Sequence, residues 1–304
     1  MGKPLISLCI PTNGVPQWMF PVLDSIFSQG VEETLFEVVV TDNGNNEDFQ
    51  TRMAAYAQEH SNIVYEKTDA LPFLNEIEAY KRANGEFIKF LNHRTMLTEG
   101  ALNTFLEFVR NNRETRPVVY FTNGVLKKPH EAYTFDTFDQ YVANLSYWSS
   151  WSTGMGFWKS DFESIPEGTV FNELFPHTTV LFHIRDRKQY VVDNRVLLKE
   201  LPTGTIPKGR YDLFYAFAVE YPGIICDLLR AGSITTETFL KVKRENLKFV
   251  TQLYFDYVIR KLPCSYDLTS YDTSIQVYYS NAEVAKTLGK VVVNKCKGKL
   301  RLGN

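Results

Sequence analysis

Apolar residues fall in short blocks separated by amphipathic stretches, and through Thr122 the alternation is regular. Residues 5–10, Leu-Ile-Ser-Leu-Cys-Ile, predict a short buried strand that Pro11 stops. A helix follows, with Trp18, Pro21, Val22, Ser25 and Ile26 near its apolar face. Residues 36–41 form a second, β-branched strand, and Asp42-Asn43-Gly44-Asn45-Asn46 is a dense turn cluster. The pattern then predicts a helix over 48–59, a strand over 62–65 and a helix over 72–83. A turn at Asn84-Gly85 leads to a strand over 87–91, a helix over 100–112 and a strand over 118–122. Strands alternating with helices at this spacing predict an α/β fold of βαβ units around a mostly parallel sheet.

Beyond about residue 125 the regularity lapses. Aromatic residues crowd 133–158, and helices are predicted over 212–230 and 237–262. The second of these carries Phe239, Val242, Leu247, Val250, Leu253, Tyr254 and Val258 at three- and four-residue steps. No Pro/Gly/Ser linker separates this half from the first, which predicts a lobe packed on the sheet rather than an independent domain.

Composition changes the picture in two places. Four cysteines, Cys9, Cys226, Cys264 and Cys296, lie far apart without a CxxC pair, which argues against a zinc site or a disulfide framework and fits a reducing cytosol. The N-terminus runs straight into an apolar strand without signal-peptide anatomy, and no apolar run is long enough to span a bilayer. The net charge of −2 hides an asymmetry: from Lys286 onward there are six basic residues and no acidic one, so the rest carries −8. A basic tail on an acidic body suits an anionic membrane surface or a nucleic acid, or is simply a solvated terminus.

Ligands of open α/β sheets bind outside the carboxyl ends of the strands. Three such ends are polar here: Pro11-Thr12-Asn13-Gly14, Thr41-Asp42-Asn43-Gly44 and Asn92-His93-Arg94-Thr95. The first lacks GxGxxG, and no GxxxxGK[ST] occurs, which argues against dinucleotide and P-loop chemistry. Turn formation explains any one loop; three at one sheet edge point to a site.

Residues 6–13 (Ile-Ser-Leu-Cys-Ile-Pro-Thr-Asn), 36–44 (Phe-Glu-Val-Val-Val-Thr-Asp-Asn-Gly) and 83–91 (Ala-Asn-Gly-Glu-Phe-Ile-Lys-Phe-Leu) resemble the successive signatures of family 2 glycosyltransferases of the GT-A fold. The resemblance is nearest to the abequosyltransferase-like group that builds bacterial surface polysaccharides, and it covers roughly the first 125 residues. It implies a Rossmann-like, mostly parallel sheet flanked by helices. Residues 1–125 would be the nucleotide-sugar-binding half, 126–235 the acceptor-side half of the same domain, and 236–304 a helical C-terminal extension with the basic tail. It further implies an inverting transfer from a UDP or dTDP sugar to a saccharide, lipid-linked at the inner face of the plasma membrane, with no nucleic-acid partner.

In that family the nucleoside is held at positions matching Pro11, Thr12 and Asp42, and Asn13 and Asn43 offer amide contacts beside them. A carboxylate such as Asp42 accepts from N3–H of uracil or thymine. The departure comes after the fourth strand, where relatives carry a metal-gripping Asp-x-Asp pair and this chain has Asn92-His93-Arg94. Hard divalent cations want carboxylate oxygens. Arg94 instead suits the diphosphate directly, and His93 suits a softer cation or a phosphate. Dependence on Mg²⁺ or Mn²⁺ stays open.

A Gly/Pro-punctuated loop, residues 202–211, carries Lys208 and Arg210, cations suited to closing over a diphosphate leaving group. Glu173 is the leading candidate for the acceptor base. His177 lies four residues on, with Pro176 arguing for a helix break between them, and Asp161 and Glu163 come next. Trp148 and Trp151 suit sugar stacking and core packing equally. The competing reading is a catalytically weak sugar-nucleotide-binding or scaffold protein. Nucleotidyl transfer ranks third, because residues 11–16 hold no cation.

Overall fold

The computed structural model describes residues 3–204, 206–207 and 209–301, with side chains through Val293. These fall into two compact units, one built from residues 1–141 and 148–202, the other from 142–147 and 203–304.

In the first unit, β1 (Ile6–Thr12), β2 (Phe36–Asp42), β3 (Ile63–Lys67) and β4 (Phe87–Phe90) alternate with α1 (Pro16–Phe27), α2 (Glu47–Glu59) and α3 (Asn75–Arg82). Then come β5 (Thr95–Leu97), α4 (Ala101–Asn112), β6 (Val118–Phe121), β7 (Ala132–Phe135) and α5 (Phe138–Leu145), the last running into the second unit. β8 (Met155–Trp158), α6 (Lys159–Glu163), α7 (Pro176–Leu181), β9 (Tyr190–Asp193) and β10 (Leu198–Glu200) complete it. Eight strands form one sheet in the order β3-β2-β1-β4-β8-β6-β9-β7, and β5 pairs with β10 apart from it.

β1 runs parallel to both β2 and β4, and β2 parallel to β3. β8 enters antiparallel between β4 and β6. Every residue of β2 is buried, as expected of a strand covered on both faces. Ile6, Leu8, Ile10, Val38 and Val40 pack with Leu23, Phe49 and Phe105 in one apolar core.

β1 does not stop before Pro11 but continues through Thr12. Cys9 bonds toward the β4 side, its carbonyl accepting from Leu91 N, whereas the Thr12 carbonyl accepts from Asn43 on the β2 side. By alternation Pro11 faces the β4 side, where pairing has ended at Cys9, so its missing N–H breaks no ladder bond. The strand therefore delivers Thr12 opposite Asp42.

The second unit is helical. α8 (Leu213–Tyr215) passes through a wider π turn, Ala216–Glu220, into α9 (Tyr221–Arg230). α10 (Thr236–Leu253) is capped by Thr235, whose hydroxyl accepts from Thr238 N, and continues through a second π turn to Ile259. The expected helix over 237–262 ends earlier because Lys261 takes a left-handed backbone, φ 52°. α11 (Tyr271–Tyr278) and α12 (Asn281–Arg301) follow. Asn246, buried on α10, donates to Phe217 O and to the Tyr279 hydroxyl, tying three segments together. Among the described residues no helix is long and apolar enough to cross a membrane.

Candidate functional site

The carboxyl ends of β1 and β2 bring Thr12 and Asp42 together in register. Two glycines shape the floor between them. Gly14 has φ +78°, and a Cβ there would meet the Phe49 ring at 3.3 Å; a Cβ on Gly44 would sit 2.0 Å from the Asn13 carbonyl oxygen. Gly14 N donates to Thr12 Oγ1 at 3.1 Å, and Gly44 N to Asp42 Oδ1 at 2.7 Å. Asn46 caps α2 by accepting from Phe49 N and also donates to the Gly14 carbonyl, so both loops are held by one side chain.

Asp42 is fully buried. Its Oδ2 accepts from the Tyr65 hydroxyl at 3.2 Å and lies 3.6 Å from Lys67 Nζ, which also donates to the Gly44 carbonyl. Burial beside this carboxylate pushes the Tyr65 phenol up. Asn43 is turned aside: its Nδ2 donates to the Ala70 carbonyl at 3.0 Å. Asn13 is exposed at the rim and Pro11 half-buried beside it.

Asn75, at the start of α3, ties these strand ends together. Its Nδ2 donates to the Thr41 carbonyl at 2.9 Å and the Thr12 carbonyl at 3.3 Å, and its Oδ1 accepts from Thr68 Oγ1 at 2.8 Å. One buried amide thus joins the ends of β1, β2 and β3.

The loop after β4 closes the third side. Thr12 Oγ1 lies 2.9 Å from His93 Nδ1, and the Trp18 ring meets the imidazole edge-on at 5.0 Å. Burial, with the Arg94 cation adding to it, pulls His93 down to about 4, so the ring is neutral near pH 7. Asn92 Oδ1 accepts from Arg94 N at 3.2 Å, and Arg94 Nη1 donates to Glu200 Oε2 at 3.1 Å. This donor set does not fit a hard divalent cation: the amide oxygen serves a turn, one imidazole nitrogen is engaged by Thr12, and the third residue is a cation. Among the described residues no group of three or more His, Cys, Asp or Glu could hold a metal ion.

The candidate bases are spread along the first unit. Glu173 is exposed in the loop before α7, and Pro176 opens that helix, so Glu173 and His177 do not share a helical face. His177 is buried, with Nε2 3.1 Å from the Ser149 carbonyl and Nδ1 3.8 Å from Glu76 Oε1. Burial pulls this imidazole down to about 4 and pushes the Glu76 carboxyl up, the marks of an interior pair rather than a solvent-facing base. Asp161 pairs with Arg187, and Glu163 lies 4.0 Å from Lys159. Lys208 lies outside the described residues; Arg210 is exposed and belongs to the second unit.

The aromatic segment is fixed from beneath. Tyr120 OH donates to the Trp148 carbonyl at 2.6 Å and also reaches that of Trp151, and the two half-buried indoles lie 4.2 Å apart. Buried Lys89, on β4, donates to the carbonyls of Phe90, Thr153 and Met155, matching the three N–H bonds of an ammonium.

Sequence reasoning missed Tyr65, Lys67, Asn75, Lys89 and Glu200. A signal existed for Lys67 alone: extending the third strand by two residues places it opposite Asp42.

The chain has the fold of the GT-A glycosyltransferases. It is similar to the crystal structure of S. aureus TarS residues 1–349 in complex with UDP-GlcNAc: TM-score 0.58 and 13% identity over 96% of this chain and 92% of that one. The corresponding complex with UDP gives TM-score 0.56 at 13% identity over 96% and 91%. A longer TarS structure gives TM-score 0.54 at 16% identity over 82% of this chain but 43% of that one, so the chain spans less than half of it. At these identities the likeness is one of fold. No family model matches the chain, and no curated protein matches it.

Proposed function

We propose that the protein is a nucleotide-sugar glycosyltransferase that uses a UDP sugar. The observation that carries this is the arrangement at the carboxyl ends of β1 and β2, where Thr12 and Asp42 pair in register beside two tightly packed glycines and Asn75 ties the strand ends together. It occurs on a fold shared with the S. aureus TarS structure in complex with UDP-GlcNAc. In this reading Pro11, Thr12, Asn13 and Asp42 line the nucleoside site, Asp42 accepting from the base N3–H with Lys67 beside it, while the Asn43 amide holds the neighbouring loop at Ala70. Asn92, His93 and Arg94 face the diphosphate. Residues 1–125 then form the donor half and 126–235 the acceptor half.

The chemistry is an inverting displacement. Glu173 takes the proton of the acceptor hydroxyl, whose oxygen attacks the anomeric carbon as the bond to the β-phosphate oxygen breaks and UDP leaves. The acceptor is a saccharide of a surface polysaccharide, lipid-linked at the cytoplasmic membrane face, where the six cations from Lys286 onward meet anionic headgroups. In this reading the enzyme is abequosyltransferase-like. The pairing of Arg94 with Glu200, where relatives keep carboxylates for a metal, supports a second reading, a sugar-nucleotide-binding protein with little turnover.

Calorimetric titration of UDP-, dTDP-, CDP- and GDP-sugars into the protein tests the reading. Binding of a UDP or dTDP sugar in preference to the others is expected, and equal binding of UDP and GDP sugars overturns it.

A further inference from the structure

The ion pair between Arg94 and Glu200 has an asymmetry that the donor-site reading does not use. The Arg94 backbone is held at both ends: its N–H donates to Asn92 Oδ1, and its carbonyl accepts from Leu201 N at 2.8 Å. That second bond continues the antiparallel pairing of β5 with β10, in which Glu200 lies opposite Thr95. Glu200 is therefore delivered to the guanidinium by strand register across 106 residues of chain. The two partners differ in solvation. The Arg94 side chain is 18% exposed, the Glu200 side chain 60%. Glu200 Oε2 engages Nη1 alone within hydrogen-bond distance, whereas a guanidinium offers five N–H donors in a fork that matches phosphate oxygens. The cation is sheltered and fixed; the anion is solvated and replaceable.

We infer that Glu200 is a resident counter-anion for the donor site. Its carboxylate holds the Arg94 guanidinium until the diphosphate of a sugar nucleotide displaces it, and it returns to the guanidinium as the nucleoside diphosphate leaves. This rests on the proposal above that Arg94 faces the diphosphate. The consequence runs against the usual effect of breaking an ion pair: removing the Glu200 charge tightens nucleotide binding, because phosphate no longer competes with a tethered carboxylate. A pair with one well-solvated partner is weak, so the effect is roughly two- to five-fold in the dissociation constant. Glu200 is a positioning residue in this scheme and touches no reacting atom.

UDP and uridine are titrated into the wild type, Glu200→Gln, Glu200→Lys, Arg94→Ala and the Arg94→Ala/Glu200→Gln pair, with folding checked by circular dichroism. Glu200→Gln is expected to bind UDP about two- to five-fold more tightly and to release it more slowly in stopped-flow displacement. Glu200→Lys is expected to bind UDP at least as tightly as Glu200→Gln. Uridine binding is unchanged in both, and Glu200→Gln has no effect once Arg94 is alanine. If both Glu200 variants bind UDP no better than the wild type while Arg94→Ala binds it worse, the counter-anion role is overturned and the donor-site reading stands. If Arg94→Ala binds UDP as tightly as the wild type, the donor-site reading of Arg94 itself fails.

Discussion

Asn75 Nδ2 reaches the Thr12 carbonyl at 3.3 Å and the Thr41 carbonyl at 2.9 Å, so a single buried amide on α3 sets the spacing of two strand ends. Replacing it by alanine leaves buried partners unsatisfied, which costs on the order of 1–3 kcal/mol for such a group. Asn75→Ala is expected to unfold earlier in urea and to bind UDP more weakly. Asn75→Asp keeps the Oδ1 acceptor for Thr68 but loses both donated bonds, and should fall close to alanine in both measurements.

In the proposed function Asp42 selects the nucleotide. Asp42→Ala is expected to weaken UDP binding by roughly 1–3 kcal/mol, the range for a charged hydrogen bond. Titration of UDP and GDP into both proteins checks this. The variant should lose most of its preference for UDP rather than bind both nucleotides proportionately less well.

His93 makes stability depend on pH in a defined direction. Burial, aided by Arg94, holds its folded pKa at about 4, below the ordinary histidine value of about 6.5. Below that ordinary value the unfolded chain takes up the proton first, so the contribution of the neutral ring is complete above about pH 6.5 and is lost as pH falls toward 4. The stability gap between the wild type and His93→Asn, from urea titrations, is expected to be widest near pH 7 and to shrink by pH 4.5. A gap that widens on acidification contradicts a buried neutral imidazole.

The basic C-terminus gives a separable expectation. Lys286 and Lys290 are exposed on α12, and four more cations follow in the sequence. Changing all six to glutamine should reduce cosedimentation with anionic vesicles while leaving UDP binding unchanged, at about 1 kcal/mol per residue near the surface at most. Vesicle binding unaffected by the substitutions or by salt makes the tail a solvated end.

The first four strands and their helices were legible because each apolar block is short and bounded by Pro, Gly or Asn. Thr12 and Asp42 could be singled out because both end such blocks. The antiparallel entry of β8 was not legible: Met155–Trp158 sits inside a continuous aromatic segment, where packing demand hides the period-2 signal. Glu200 and Asn75 could not be found from the sequence, since strand register brings Glu200 to Arg94 and a helix start brings Asn75 to the strand ends from distant positions. Lys89 sits inside the Phe-Ile-Lys-Phe strand, and three carbonyls brought together only by the fold satisfy it in the core.

In the proposed function this site turns over a sugar nucleotide with Arg94 in place of metal-binding carboxylates. The most direct measurement is UDP release from a panel of UDP and dTDP sugars, with the saccharide acceptor or by slow hydrolysis, in excess EDTA and with added Mn²⁺. Release from at least one such donor is expected to persist in EDTA, and turnover to fall by about 10²–10³-fold in Arg94→Ala, the scale for losing one transition-state charge donor. Activity that vanishes with EDTA and returns with Mn²⁺ contradicts the role given to Arg94, and no release from any nucleotide sugar under either condition contradicts the assignment as a glycosyltransferase.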